Sequence, residues 1–320
     1  MKRKNILSSL ALLLTTAVLT SCAGTSQKVI FSSNWQNDNT VQQNDLTETL
    51  EYAVSFEKGS PLSDAYSLNY TNGIYTTSLK TEQYNGRTIY SYETNLTIDV
   101  IYEMNAESTQ LQDTVYSLVK FEKTDKSLRP ISSHKEVYSH SPSNGATELS
   151  KCYELFHYTV DISYNENYAG EAIIKNLANE NATETKNSFS VNTEKYTCID
   201  NEQLLFALRG VNPSLSSTAK FNVYSPFVKA TQRIKATFAS EEGADFNFVR
   251  NGVAVKEAIQ YYPVSIVLEQ KNSGATKTAW MAKSKDVQSN TYRNVILRLE
   301  TPLSYSLGTL VYTLKSATFN

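Results

Sequence analysis

Histidine, cysteine and paired carboxylates are the side chains with which this sequence could do chemistry. The 320 residues include three histidines, His134, His140 and His157. His134 and His140 share the same parity on a predicted strand, which would place them about 20 Å apart on a straight strand. They could not bind one zinc ion, whose ligands lie about 2 Å from the metal. We therefore expect solvated histidines on strands and no metal site.

Two cysteines in the body of the chain, Cys152 and Cys198, could be structural or reactive. In an exported protein they could form one disulfide. Such a bond would close a loop of about 46 residues and stabilise the fold by roughly 3–4 kcal/mol in the chain-entropy model. Two buried free thiols are the main alternative, and a reactive nucleophile is a third.

Motifs for nucleophilic, nucleotide-dependent or metal-dependent catalysis are absent from the sequence. There is no Gly-x-Ser-x-Gly elbow, and the Ser-x-x-Lys matches at 117–120 and 132–135 lie in strand-like runs without their companion motifs. Residues 161–167 are rich in oxygen ligands but lack the glycine and the closing glutamate of a calcium loop. Acidic residues are scattered, so the sequence locates no carboxylate pair for hydrolysis. The sequence therefore assigns no catalytic residue and no cofactor, and we expect that the protein is not an enzyme.

The first 22 residues have the layout of a secretory signal, with basic residues 2–4 before a short apolar run at 6–18. The run ends in Leu19-Thr20-Ser21-Cys22, which resembles the lipobox of bacterial lipoproteins. In that family the cysteine thiol receives a diacylglyceryl group, and the signal peptide is cut before it. The resemblance implies a signal peptide over 1–21 and Cys22 as the attachment site of acyl chains such as palmitate. Ordinary cleavage beside an incidental cysteine is the alternative.

Acylation of Cys22 would place the protein at a bacterial membrane, and at the outer membrane if the cell has one. Each buried CH₂ contributes about 0.8 kcal/mol, so two or three acyl chains anchor a protein durably. Loss of the signal peptide changes the formal charge from −2 to −5. A chain with this charge does not attract nucleic acid, and we expect the lipid, not a basic patch, to hold it at the membrane.

The sequence divides into a tether and a body. Residues 22–45 are predicted to be a lipidated N-terminus and flexible polar tether, because the run at 32–44 has too few apolar residues to nucleate a core. Residues 46–320 are predicted to form a single β-rich domain. A subdivision near 212–218 is the alternative, since Asn212-Pro213 and a serine-rich stretch occur there.

Period-2 alternation dominates the body. In its clearest case, Tyr90 to Met104, seven of eight positions on one face are apolar or aromatic, against one of seven on the other. This pattern predicts a half-buried antiparallel strand. At about 50 Å it is much longer than the usual strand, which favours a large curved sheet. Weaker alternation occurs at 50–57, 155–164, 234–238, 262–268 and 310–314.

Turn signals and one helix signal complete the predicted fold. The dipeptides that favour hairpins are Asn72-Gly73, Asn85-Gly86, Asn144-Gly145, Asn251-Gly252 and Ser273-Gly274. Asp200 as N-cap and Gln203 form a capping-box pattern, and the helix is predicted to end at Arg209 with Gly210 in the left-handed region. We expect a mainly β fold, a large curved antiparallel sheet (a half-barrel-like meander) with one or few short helices packed on its concave face.

Two segments of the body, Asp200 to Arg209 and Pro302 to Tyr312, resemble exported bacterial domains of unknown function. Those families are similar in architecture to the lipoprotein-localisation-factor fold, a curved half-barrel with helices plugging its concave face. The resemblance covers roughly the last 130 residues. It implies a fold and a greasy cavity but no site residues.

Three functions follow as expectations. The leading one is a membrane-anchored, non-catalytic lipoprotein of the cell envelope that binds an apolar or amphiphilic ligand, or an envelope partner. Tyrosines on the strands could line its cavity between sheet and helix, although core packing explains any single tyrosine better. The second is a surface scaffold or adhesin that contacts protein or glycan, and the third is an unrecognised hydrolase.

Overall fold

A computed structural model of the protein describes residues 27–29, 31, 47–60, 65–122, 128–178, 183–214, 216–269, 276–283 and 292–319. Cys22, the predicted signal peptide, most of the predicted tether and the predicted Ser273-Gly274 turn lie outside these residues. Within the described part of the chain, no helix is long and apolar enough to cross a membrane.

The described residues form sixteen strands that belong to one sheet. The strands are β1 (Thr47–Lys58), β2 (Ser67–Tyr84), β3 (Arg87–Met104), β4 (Glu107–Glu122), β5 (Pro130–Pro142), β6 (Tyr153–Tyr164), β7 (Ala169–Asn176), β8 (Thr183–Ser190), β9 (Thr197–Cys198), β10 (Thr218–Ser225), β11 (Ala230–Phe238), β12 (Glu242–Arg250), β13 (Val253–Leu268), β14 (Lys277–Ala282), β15 (Ile296–Pro302) and β16 (Gly308–Phe319).

The first and last strands lie side by side in the middle of this sheet. From β1 a meander of antiparallel hairpins runs outward to β8, and on the other side β16, β15, β14, β13, β11, β10 and β9 follow in order. Most pairs are antiparallel, but the pair of β9 with β10 and that of β12 with β16 are parallel. Strands that precede residues 212–218 in the chain and strands that follow them therefore belong to one sheet.

Five strands close on themselves to form a barrel. β12 pairs with β13 along its whole length and, through Val249 and Arg250, with Ser316 and Ala317 of β16. Because β13, β14, β15 and β16 are consecutive neighbours, these contacts complete the ring. The predicted mainly β fold with a curved antiparallel sheet and a short helix is confirmed, whereas the closed barrel was not predicted.

Alternating burial shows why the strands form where they do. Along β3 the predicted apolar face is buried at all positions except the partly buried Leu96. The turn before it is Asn85-Gly86, where both residues have positive φ, 49° and 76°. This conformation matches the twist of a two-residue hairpin. The Asn251-Gly252 turn between β12 and β13 has the same geometry and is likewise confirmed.

Asn72-Gly73 is not a hairpin turn, contrary to the prediction. It lies inside β2, where the pairing with β3 shifts between Thr71 and Ile74. A Cβ atom at Gly73 would lie 2.6 Å from the Cβ atom of Val54, so glycine serves a close strand contact there. The turn between β3 and β4 instead uses Asn105 and Ala106, both with positive φ.

The predicted helix is present but short. A 3-10 turn at Asn201–Gln203 leads into α1, Leu204–Arg209. The capping box is confirmed, since the Asp200 carboxylate accepts the N–H of Glu202 and the Gln203 side chain accepts the N–H of Asp200. Gly210 has φ −84°, so the predicted left-handed end is wrong. Its N–H donates to the carbonyl of Ala207, which ends the helix with a 3-10-like bond instead.

α1 packs on the concave face of the sheet by two kinds of contact. Phe206 is buried against the rings of Tyr90, Tyr92 and Phe121, with centroids 5.1 to 5.5 Å apart. Arg209 donates to both carboxylate oxygens of Glu48 on β1, at 2.6 and 2.8 Å. An aromatic cluster and a buried bidentate ion pair thus fix the helix to the sheet.

Residues 27–29 and 31 of the predicted flexible tether lie against this body. Gln27 donates its N–H to the carbonyl of Lys195, and Phe31 forms a β-bridge with Val211. The side chain of Phe31 is 6% exposed and belongs to the main core. The described part of the segment is therefore bound, because Phe31 supplies a large apolar side chain to the core.

Candidate functional site

The space between α1 and the sheet is filled by the protein's own side chains. The cavity found there measures about 10 Å³ and lies among Tyr52, Tyr75, Tyr92 and Arg209. A space of that size holds about one water molecule. The apolar cavity expected between sheet and helix is therefore occupied by core residues.

A larger cleft of about 280 Å³ opens at the start of the helix. It lies between the inward faces of β5 and β6, the capping segment of α1, and the connection from β10 to β11. We call it the helix-cap cleft. Its lining residues are Ser133, Lys135, Tyr158, Val160, Ile162, Asp200, Asn201, Glu202, Val223, Tyr224, Ser225, Pro226, Phe227 and Gln232.

Asp200 forms the buried floor of this cleft. Its carboxylate accepts the hydroxyls of Ser133 and Tyr164, each at 2.7 Å, and the N–H of Glu202 at 2.8 Å. Burial, with the nearby charge of Glu202, raises the pKa of Asp200 above its usual range. Three donors hold this carboxyl group in place, so its first role is to cap the helix.

Glu202 and Lys135 form an ion pair beside Asp200. The Nζ atom of Lys135 lies 3.0 Å from Oε1 of Glu202, which also accepts the Asn201 amide. Burial by itself would raise the pKa of Glu202, but the charge of Lys135, the hydrogen bonds from Asn201 and Lys135, and the charge of Lys277 together outweigh it, so the pKa is lowered. Burial and the nearby charge of Lys135 lower the pKa of Lys277. The cleft therefore holds a fixed charged pair at neutral pH.

An aromatic wall faces this charged group. The rings of Tyr158 and Phe227 meet edge to face, with centroids 5.2 Å apart, and Phe227 is 58% exposed. Tyr224 stacks on Phe189 of β8 at 4.0 Å. The cleft thus presents apolar rings next to a lysine, two carboxyl groups and two amides.

Cys152 and Cys198 do not form the disulfide considered above. Both are free and buried, in separate apolar clusters. Cys152 precedes β6, whereas Cys198 lies in β9 at one end of the sheet, so the strand order separates them. Burial and the charge of Asp200 raise the pKa of Cys198 to about 12. Its thiol is protonated at neutral pH, which makes it a poor nucleophile.

The histidines each contact a carboxylate on a neighbouring strand. The pairs are His134 with Asp161 (2.7 Å), His140 with Asp113 (2.8 Å) and His157 with Glu136 (3.2 Å). His140 is 6% exposed, so the expectation of a solvated residue is wrong for it. Burial next to the rings of Tyr138 and Tyr153 explains this. Among the described residues, no group of His, Cys, Asp and Glu has the arrangement of a metal site.

Lys135, Glu202, Tyr158 and Phe227 were not singled out as site residues from the sequence. Lys135 has the strand parity of Val137, which is buried, so a charge on an inward face was the available signal. Glu202 lies within the capping motif. Phe227 lies in a turn, where no periodicity marks it.

No protein-family model matches the chain, and no curated protein has a significantly similar sequence. Two solved structures show some similarity to it. A β-barrel-like protein of the domain of unknown function DUF1849 from Brucella abortus is 10% identical, covers 87% of this chain and 99% of its own, and has a TM-score of 0.48. A porin-like protein from Bacteroides uniformis is also 10% identical, covers 85% and 95%, and has a TM-score of 0.18.

Proposed function

We propose that the protein is a lipid-anchored, non-catalytic protein of the bacterial cell envelope whose helix-cap cleft binds an amphiphilic ligand. The observation that carries the proposal is the close approach of an aromatic wall and a fixed ion pair in one cleft of about 280 Å³. Ligand sites typically combine apolar walls with a few well-placed polar groups.

The size of the cleft limits the size of the ligand that it could bind. Small-molecule sites measure about 300–1,000 Å³, so this cleft is at the lower end. It suits a small amphiphile or one end of a larger one. The rings of Tyr158 and Phe227 would contact the apolar part. Lys135 would use the ammonium hydrogens not bonded to Glu202 to bind the polar part.

The hydrogen bonds of the two carboxylates favour binding over hydrolysis. Asp200 accepts three hydrogen bonds from the protein, and Glu202 accepts from Lys135 and Asn201. A general acid or base needs an oxygen within reach of the substrate. An unrecognised hydrolase would have to release one of these carboxylates from its structural bonds.

Anchoring at the membrane is proposed from the lipobox-like Leu19-Thr20-Ser21-Cys22. A surface scaffold or adhesin is the second candidate. It is favoured by the exposed apolar side chains of Phe156, Phe227 and Val228, because Phe156 lies on the same face of β6 as Tyr158. These exposed side chains at the edge of the cleft could contact a protein or a glycan instead of a small ligand.

Mass spectrometry of the full-length protein, extracted from its host membrane in mild detergent, tests both halves of the proposal. The denatured protein should have the mass of a chain that begins at Cys22 and carries acyl groups, and Cys22→Ala should abolish them. Under native conditions a small molecule should remain bound. Phe227→Ala should release most of it, because the aromatic wall is lost.

Tyr84→Ala is the matched control, because Tyr84 is an exposed aromatic residue outside the cleft. It should retain the bound molecule. An unacylated chain would contradict the anchor. A wild-type protein without any bound molecule, or equal binding by Phe227→Ala and Tyr84→Ala, would contradict the ligand site and favour the scaffold.

A further inference from the structure

The chain is bound to the body only a few residues after the proposed lipid attachment site. The N–H of Gln27 donates to the Lys195 carbonyl at 2.8 Å, and that of Val29 donates to Oγ1 of Thr197 at 2.9 Å. The segment from Cys22, placed in the bilayer, to Gln27 is five residues long and reaches at most about 17 Å. By comparison, the flexible tether of about 23 residues predicted from the sequence would have a root-mean-square span of roughly 25–29 Å.

A cleft of about 390 Å³ lies against this bound segment, and we call it the N-terminal cleft. It is lined by Gln27, Lys28, Val29, Val211, Asn212, Ser216, Thr218, Ala219 and Lys220. These residues include two lysines, two side-chain amides and two hydroxyls, but no carboxylate. Such a lining has the donors that an anionic phosphate group requires.

Further cations surround the N-terminal cleft. Lys195 is exposed next to Gln27. Lys220 and Arg233 share Glu269, at 2.5 and 3.3 Å, and Arg233 also lies 3.9 Å from the ring centroid of Tyr196. Among the described residues of this face, the cations Lys28, Lys195, Lys220 and Arg233 thus outnumber the carboxylates Glu194 and Glu269. This face is locally positive although the mature chain as a whole is acidic.

We propose that this face docks on the bilayer and that the N-terminal cleft receives the phosphate-bearing head group of an anionic phospholipid. The inference rests on the lipid anchor of the proposed function. The connection from Cys22 to Lys28 is six residues long and reaches at most about 20 Å. Lys28 can therefore lie at the membrane surface, within the Debye length of about 8 Å over which its charge acts at physiological salt. The acyl chains keep the protein at the membrane, and the lysines set the face that it presents.

Hydrogen exchange of the acylated full-length protein in lipid nanodiscs tests this docking. Nanodiscs of phosphatidylcholine alone are compared with nanodiscs that also contain phosphatidylglycerol. The amides of residues 27–29 and 216–220 should exchange several-fold more slowly with phosphatidylglycerol, and high salt should abolish the difference. Each lysine at an anionic surface raises the equilibrium constant for docking about fivefold. Lys28→Gln with Lys195→Gln should therefore reduce docking by more than tenfold.

Lys175→Gln with Lys186→Gln is the charge-matched control, because both lysines lie on the β7–β8 hairpin. It should leave the protection unchanged. Protein that stays in the nanodiscs without protection specific to phosphatidylglycerol would overturn the docking and leave the anchor intact. Protein lost from both kinds of nanodisc would refute the anchor, and the docking with it. Equal protection by inorganic phosphate in phosphatidylcholine nanodiscs would overturn the lipid head group as the occupant.

Discussion

Asp200 and Glu202 are two positions apart, yet their environments change their acidity in opposite directions. Burial raises the pKa of Asp200 above 3.8, while Lys135, Asn201 and Lys277 together lower the pKa of Glu202 below 4.5 despite its burial. Asp200 therefore contributes its full stability below its unfolded pKa and loses it as the pH rises through its folded pKa. Glu202 contributes above its unfolded pKa and loses its contribution as the pH falls through its folded pKa. At neutral pH the ion pair with Lys135 is intact, as the proposed ligand site requires.

The buried thiols give a prediction at the same scale. We expect Ellman's reagent to label neither Cys152 nor Cys198 in the native protein, because both are buried and burial raises the pKa of each thiol. Both should react once guanidinium unfolds the chain without a reductant. The measurement is the absorbance of released thionitrobenzoate. Absence of reaction in guanidinium would show a disulfide, and rapid native labelling would show an accessible nucleophile.

At the scale of elements, α1 is too short to be stable by itself and depends on its contacts with the sheet. The ion pair of Arg209 with Glu48 has side chains only 3% and 2% exposed. Glu48→Gln would leave the Arg209 charge buried without its partner. We expect it to lower the free energy of unfolding by about 3–5 kcal/mol, measured by urea denaturation.

Two further variants distinguish the ion pair from general damage to the core. Glu48→Gln combined with Arg209→Met should be less destabilising than the sum of the single changes, because neither charge is then left alone. Lys151→Met removes the exposed partner of Glu148 and should cost less than about 1 kcal/mol. A loss that is additive in the double variant would contradict the coupling.

The same two elements show where prediction from the sequence succeeds and where it ends. The capping box of Asp200 and Gln203 is local, so the helix could be predicted. Glu48 has the strand parity of Leu50, which signals a buried charge that needs a partner. The partner, Arg209, lies 161 positions away, and only the fold brings the two together. The helix-cap cleft depends on the same kind of distant contact.

At the scale of the whole molecule, alternation predicts the strands and their faces but not their order. The Tyr90 to Met104 pattern identifies β3, and it also predicts that the strand is half-buried. Nothing in it indicates that β1 pairs with β16 or that β12 closes a barrel, because many register choices satisfy the same alternation. The pairing of the first and last strands is set by the complete sheet.

Side chains join the two ends of that sheet. Phe189 of β8 and Tyr224 of β10 stack with an interplanar angle of 12°, and the Asn222 amide donates to the Asn192 carbonyl. Val160 and Ile162 of β6 pack in the same cluster as Tyr224. Tyr224 also lines the helix-cap cleft, so the same side chain contributes to closure of the sheet and to the shape of the proposed site.

A double-mutant cycle on Phe189→Leu and Tyr224→Leu tests this closure. If the rings join the two sheet ends, urea denaturation should give a coupling energy of about 0.5–1.5 kcal/mol. Phe189→Leu with Tyr75→Leu is the control, since Tyr75 belongs to a different core cluster, and these changes should add within about 0.5 kcal/mol. Equal coupling in both cycles would refute a specific closure. Because Tyr224 lines the cleft, each change at the closing pair should also weaken retention of the bound molecule in native mass spectrometry, whereas Tyr75→Leu should not.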